Sequence, residues 1–136
     1  MTPSTTETAI DNPFAELVGF LMEPEAPGHS RARMTIAPRH LNPNQVVHGA
    51  VLYALADSGM GAALLPTLGP REICATIEVK MTYFKAVSRG ELVCRTVLVN
   101  RGKRVAYLES SVFAGDVLLA RASGTYAIFT PSQTAA

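Results

Sequence analysis

Apolar positions along the 136-residue chain change their spacing several times, and each change marks a new element. Phe14, Leu17, Val18 and Leu21 recur at helical intervals, which predicts a short amphipathic helix. Two prolines and a glycine between Glu23 and His29 predict a loop. Ala32, Met34 and Ile36 then alternate with Arg31, Arg33 and Thr35, the period-two pattern of a half-buried strand. Turn formers follow at Pro38, Asn42, Pro43 and Asn44. From about His48 to Leu65 the chain is apolar nearly all round, and a helix apolar on every face is normally buried. Gly49, Gly59 and Gly61 would let other backbone approach it closely, and Pro66 is expected to end it.

The remainder reads as strands. Ile73, Ala75, Ile77, Val79 and Met81 alternate with Thr76, Glu78, Lys80 and Thr82. Ser88-Arg89-Gly90 turns the chain into Leu92–Val99, and a turn at Arg101-Gly102 leads into Val105–Ala114. Gly115-Asp116 is a strong two-residue hairpin signal before Val117–Phe129. Short turns between successive strands predict an antiparallel meander. A sheet with one apolar face cannot stand alone, and wrapping it around the central apolar helix is the simplest way to cover it. The expected class is therefore α+β, an antiparallel sheet around one long helix. The domain is expected over residues 13–130, with a disordered tail at 1–12 and a loose one at 131–136.

Composition narrows the function classes. Hydrophobic residues make up 48% and charged residues 17%, enough to build a core and too apolar for disorder. Twelve basic against eleven acidic side chains give a net charge of +1, without the basic excess of a nucleic-acid binder. Cys74 and Cys94 form no CxxC pair and no Cys/His cluster, so reduced core thiols are expected and no metal site. The first residues lack a basic and an apolar region of the signal-peptide kind, and no apolar run is expected to reach the length of a membrane span. A cytoplasmic protein is the expectation.

Chemistry is concentrated in the apolar helix. Asp57 lies in its middle, with no lysine or arginine within a turn or two and no capping role open to it. An ionised carboxylate buried there costs several kcal/mol unless it is paired. One reading is a hydrogen bond to a backbone amide; the other is a general base or nucleophile. His48 and Gly49 open the same helix, where free amides and the helix dipole can hold an oxyanion. Nine positions separate His48 from Asp57, which puts them on opposite sides of the helix and about 13 Å apart along its axis. They do not meet in one chain. Two copies related by a two-fold axis would bring Asp57 of one to the Gly49 end of the other. Neither a Gly-x-Ser-x-Gly elbow, a Gly-x-Gly-x-x-Gly run nor a Walker loop occurs.

Asn42-Pro43-Asn44-Gln45-Val46-Val47-His48-Gly49-Ala50, followed by Leu55-Ala56-Asp57, resembles the signature of hotdog-fold acyl-CoA thioesterases. The similarity is greatest to the phenylacetate-pathway (PaaI-like) branch of the 4-hydroxybenzoyl-CoA thioesterase superfamily. It runs from about Arg31 to Phe129 and includes Gly90-Glu91-Leu92, Gly102-Lys103-Arg104 and Ala122-Ser123-Gly124-Thr125. The resemblance implies a hotdog fold and hydrolysis of an acyl-CoA, with CoA as part of the substrate and no separate cofactor. It implies that Asp57 is the catalytic carboxylate, that the Gly49 amide polarises the thioester carbonyl, and that His48, Asn42 and Thr76 orient substrate and water. Arg101, Gly102, Lys103 and Arg104 would take the nucleotide end of CoA, and Tyr83 and Lys85 would border its pantetheine arm. It also implies a homodimer with shared sites, assembled into a homotetramer. Two positions depart from the family's pattern: Ala50 replaces the second glycine of His-Gly-Gly, and Lys85-Ala86 replaces an Arg-Pro pair. The small residues of the helix wall, with Met60 and Leu64, suggest an apolar or aromatic acyl group. A hotdog enoyl-CoA hydratase and a non-catalytic acyl-CoA binding module are the alternatives.

Overall fold

A computed structural model describes residues 12–23 and 25–132, so the expected tails lie largely outside the described residues. Helix α1 spans Pro13–Val18 and strands β1 and β2 span Phe20–Glu23 and His29–Thr35. Helix α2 spans Gly49–Leu64, and strands β3 to β6 span Ile73–Tyr83, Glu91–Arg101, Val105–Ala114 and Val117–Phe129. The strands form one antiparallel sheet in the order β1-β2-β4-β5-β6-β3, which packs around α2 as a hotdog fold. The core is the face of α2 carrying Leu52, Leu55, Ala56, Met60, Ala63 and Leu64 against inward residues of the sheet.

Several details differ from the sequence-based expectation. Asn12, assigned to the tail, caps α1 by accepting a hydrogen bond from the Ala15 amide at 3.0 Å. The helix predicted through Leu21 stops earlier, because Gly19 takes a left-handed conformation (φ +94°) and its amide closes the last turn on the Ala15 carbonyl. Phe20 and Leu21 then enter β1, an edge strand whose four residues are too few to show a period. The meander holds for β4, β5 and β6, but β3 pairs with β6 and β4 pairs with β2. The amides of Phe84 and Lys85 donate to the Leu119 carbonyl at 2.7 and 3.2 Å, and the following segment carries the chain across to β4. Ser88-Arg89-Gly90 is the end of that crossover and not a hairpin.

The expected alternation of β3 is also broken. A bulge between Thr76 and Glu78 inserts Ile77 and changes the parity of the strand. Val79 and Met81 pack on the core beyond it, whereas Cys74 does so before it. Ile77 is left outside, 59% exposed. The bulge therefore turns Thr76, and not Ala75, toward α2.

Helix α2 is set on the sheet by hydroxyl groups. Ser30 on β2 donates to the Gly59 carbonyl at 2.6 Å, and Tyr126 on β6 donates to the Asp57 carbonyl at 2.8 Å. Ser110 on β5 lies 3.4 Å from the Ala56 carbonyl and 2.6 Å from the Thr96 hydroxyl on β4. Helix carbonyls have a second lone pair beyond the intrahelical bond, and these buried hydroxyls find their partners there. Gly59 permits the approach: a Cβ at this position would sit 2.7 Å from Thr96 Oγ1. Gly124 on β6 does the same under Met60. By length and composition Gly49–Thr67 is apolar enough to cross a membrane, contrary to the expectation from sequence. In this fold the sheet covers one face of the helix, and that buried face is part of the apolar stretch.

Candidate active site

Helix α2 runs antiparallel to β3, and three residues four apart face it in turn. Gly49 meets Tyr83, Tyr53 reaches the Val79 carbonyl at 3.4 Å, and Asp57 meets Thr76. The seam has a functional group at each end.

At one end Asp57 is half-buried and has no ion pair among the described residues. Its Oδ1 accepts from Thr76 Oγ1 at 2.8 Å and from the Tyr126 hydroxyl at a shorter distance. Oδ2 has no hydrogen-bond partner among the described residues. The partners are side-chain hydroxyls on β3 and β6 and not a backbone amide. Burial, and then the Asp57 carboxylate, push the Tyr126 phenol well above its ordinary range, so it stays a donor. Burial and the same carboxylate raise the Cys74 thiol.

At the other end lies the first turn of α2. His48 is the N-cap: its Nδ1 accepts from the Ala50 amide at 3.0 Å, and its carbonyl accepts from the Val51 amide at 2.9 Å. The Gly49 amide is left without an acceptor among the described residues. The replacement of the second glycine by Ala50 therefore leaves the free amide in place. Tyr83 covers Gly49, donating to its carbonyl at 2.8 Å, and a Cβ on Gly49 would lie 3.1–3.3 Å from the ring. An open cleft of about 360 Å³ forms here, lined by Val47, Gly49, Leu52, Tyr83, Phe84 and Lys85.

The structure thus joins Asp57 to Thr76, and Gly49 to Tyr83 and Lys85, but keeps the two groups apart on one chain. Gly49 and Asp57 are eight positions apart on the helix, about 12 Å along the axis. His48 faces a different cleft, of about 290 Å³, beside Phe14, Val18, Arg39 and Val51. Asn42 joins neither group. Its Oδ1 accepts from the Asn44 and Val46 amides at 2.9 and 3.3 Å, which shapes the loop before α2. Arg101 is held by Glu72 at 2.8 Å and by the Thr67 and Gly102 carbonyls. Gly102 is fixed by close approach, since a Cβ would lie 2.5 Å from the Val105 carbonyl oxygen. Lys103 and Arg104 are exposed and form no ion pair among the described residues. Among the described residues no cluster of three or more His, Cys, Asp or Glu side chains that could hold a metal ion occurs.

Tyr126 was missed from sequence. Its one signal is position: Ala120, Ala122, Gly124, Tyr126 and Ile128 form the buried stripe of β6, and Tyr126 alone brings a polar atom to it.

An antiparallel sheet wrapped around one long helix is the hotdog architecture. The profile of the Thioesterase superfamily matches residues 44–121, and the chain belongs to that family. A protein of Archaeoglobus fulgidus with a provisional esterase name is 35% identical over 100 residues, 72% of this chain. The match spans 63% of that relative's own length. The structure of a conserved protein from Pseudomonas aeruginosa is 30% identical, covers 90% of this chain and 98% of its own, and superposes with a TM-score of 0.83. A mutant of the phenylacetic acid degradation protein PaaI from Thermus thermophilus is 31% identical, with 85% and 98% covered and a TM-score of 0.78. Within that family the chain is similar to PaaI.

Proposed function

We propose that the substrate is an acyl-CoA with an apolar or aromatic acyl group, cleaved to the free acid and CoA. The observation that carries this reading is Asp57: a carboxylate on an apolar helix, steadied through one oxygen by two hydroxyls and unpartnered at the other. Oδ2 either takes a proton from water as the water attacks the thioester carbonyl, or attacks that carbon itself. The oxyanion that forms is met by the Gly49 amide, backed by the dipole of a four-turn helix. Collapse breaks the carbon–sulfur bond and CoA leaves as the thiolate. On the first route it takes the proton that Asp57 removed from water. On the second a water then hydrolyses the Asp57–acyl anhydride, giving the acid, the free carboxylate and the proton that the thiolate takes up.

The two ends of the seam serve one reaction only if two chains combine, Asp57 of one with Gly49 of the other. Support comes from β3, an edge strand that leaves Ile73, Ile77, Tyr83 and Phe84 at its side exposed, as an edge awaiting a partner would. A homodimer with shared sites, paired into a homotetramer in the cytoplasm, is the assembly proposed. Tyr83 and Lys85 border the arm of CoA. Lys103 and Arg104 are the cations of the β4–β5 hairpin free to meet its phosphates, with Arg101 and Gly102 holding the hairpin's base. His48 and Asn42 act on the substrate indirectly, by capping α2 and shaping the loop that leads into it.

Hydrolysis of short, medium-chain and aromatic acyl-CoAs, followed with a thiol-trapping reagent, tests the proposal. Wild type is expected to release CoA from part of the panel, and Asp57→Ala to lose at least about a hundredfold in rate, as loss of a general base does. Full activity in Asp57→Ala would refute the assignment. Hydration of a crotonyl-CoA-type substrate without CoA release would favour the hydratase, and tight binding without turnover the binding module.

A further inference from the structure

We propose that Tyr126 is a positioning residue for the reaction: together with Thr76 it pins Oδ1 of Asp57, so that Oδ2 alone is presented to the substrate. The inference rests on the reading of Asp57 given above.

The geometry is built into the sheet. Thr76 and Tyr126 are direct cross-strand partners of β3 and β6, so their side chains leave the sheet on the same face at the same level. The bulge that begins just after Thr76 keeps this pair regular while the strand beyond it changes parity. Both hydroxyls arrive at one carboxylate oxygen, 2.8 Å for Thr76 and closer for Tyr126. Tyr126 is 3% exposed, and its ring stands in the inward stripe of β6 between Gly124 and Ile128. The same hydroxyl oxygen also lies 2.8 Å from the Asp57 main-chain carbonyl oxygen, so its one proton is shared between the two acceptors. One hydroxyl therefore ties the side chain and the backbone of the same residue. Rotation about the Asp57 side-chain bonds would break both hydroxyl contacts to Oδ1, so the carboxylate is held in one orientation before substrate arrives. Preorganisation of this kind is worth most in the transition state, where the direction of attack is fixed.

The test uses the acyl-CoA that wild type cleaves best and compares Tyr126→Phe, Thr76→Val, Asp57→Asn and the double variant Tyr126→Phe/Asp57→Asn. Tyr126→Phe is expected to lower kcat about ten- to hundredfold, the range for one hydrogen bond to a charged group, with KM within about twofold. Thr76→Val is expected to act in the same direction, and it leaves the buried ring untouched should the phenylalanine variant fold poorly. In the Asp57→Asn background, Tyr126→Phe is expected to change the residual rate less than about twofold, because the group it positions has gone. A wild-type kcat in Tyr126→Phe overturns the inference. So does an equal loss in both backgrounds, which marks a structural role acting without the carboxylate. Full activity of Asp57→Asn overturns the underlying reading of Asp57 instead, whatever Tyr126→Phe does. Absence of turnover by the wild type on every acyl-CoA overturns both.

Discussion

Two glycines of α2 lie two residues apart and meet opposite surroundings, so the same substitution is expected to act on them with opposite sign. A Cβ on Gly61 meets nothing within 4 Å. Gly61→Ala should then gain most of the difference in helix propensity between glycine and alanine, about 1 kcal/mol. A Cβ on Gly59 would lie 2.7 Å from Thr96 Oγ1 and 3.3 Å from Ser30 Oγ. Neither neighbour moves freely. The Thr96 hydroxyl is bonded to Ser110 at 2.6 Å, and Ser30 is bonded to the Gly59 carbonyl at 2.6 Å. Relief of the clash must break one of these buried bonds, at about 1–3 kcal/mol, or lift the helix off the sheet at a similar overpacking cost. The propensity gain offsets only part of this, and Gly59→Ala should come out about 1–2 kcal/mol less stable than wild type. The gap between the two variants is then about 2–3 kcal/mol, or roughly 6–12 °C in Tm for a domain of this size. Thermal melts by circular dichroism at one fixed protein concentration measure it, since subunit association also raises apparent stability. A Gly59→Ala protein as stable as Gly61→Ala would refute the account of how α2 is seated. A destabilised Gly61→Ala would show instead that a second chain covers that side of the helix.

Other expectations follow from single groups. Cys94 is fully buried and burial pushes its thiol up to about 11, so a thiol reagent at neutral pH should leave it unmodified until the protein unfolds. Cys74 is half-buried and raised first by burial and then by the Asp57 charge; Asp57→Asn should therefore speed its labelling about two- to fivefold, measured by mass spectrometry over time. The Gly69 amide and Arg101 hold the Glu72 carboxyl below its ordinary value of 4.5. A depressed folded-state value contributes stability above the unfolded value and loses it as pH falls through the folded one. The Tm difference between wild type and Glu72→Gln should accordingly be open at pH 7 and close in acid below pH 4.5, in a pH series of melts.

Much of this architecture was legible because its signals are local. The all-apolar stretch reads as a covered helix, and Gly115-Asp116 as a tight turn. The strand before α2 and the hairpins after Glu91 follow their alternation. What escaped was set by distant parts of the chain. Nothing near Ser88-Arg89-Gly90 says that β3 must pair with β6, because that choice is made by how the sheet closes around α2. The parity of β3 was misread because a bulge leaves no mark in the apolar pattern when the inserted residue is itself apolar, as Ile77 is. The site divides in the same way. Asp57 stood out as an uncompensated charge on an apolar helix. Gly49 stood out as the residue next to a capping histidine. Tyr126 lies 69 residues from Asp57, and only the fold brings its hydroxyl to that carboxylate. Arg101 looked like a ligand for phosphate, because the spacing of cations in a hairpin does not reveal that Glu72 lies beneath one of them.

The two turns of helix between Gly49 and Asp57 have a consequence for inheritance as well as for chemistry. If each working centre draws its carboxylate from one chain and its amide from the other, the chain is not the unit on which a loss acts. A protein lacking only the carboxylate and a protein lacking only the amide are each inert as homodimers. Joined at random, half of their dimers are mixed, and each mixed dimer carries one centre with both defects and one with none. A quarter of the full complement of centres is then intact, although no chain in the population is.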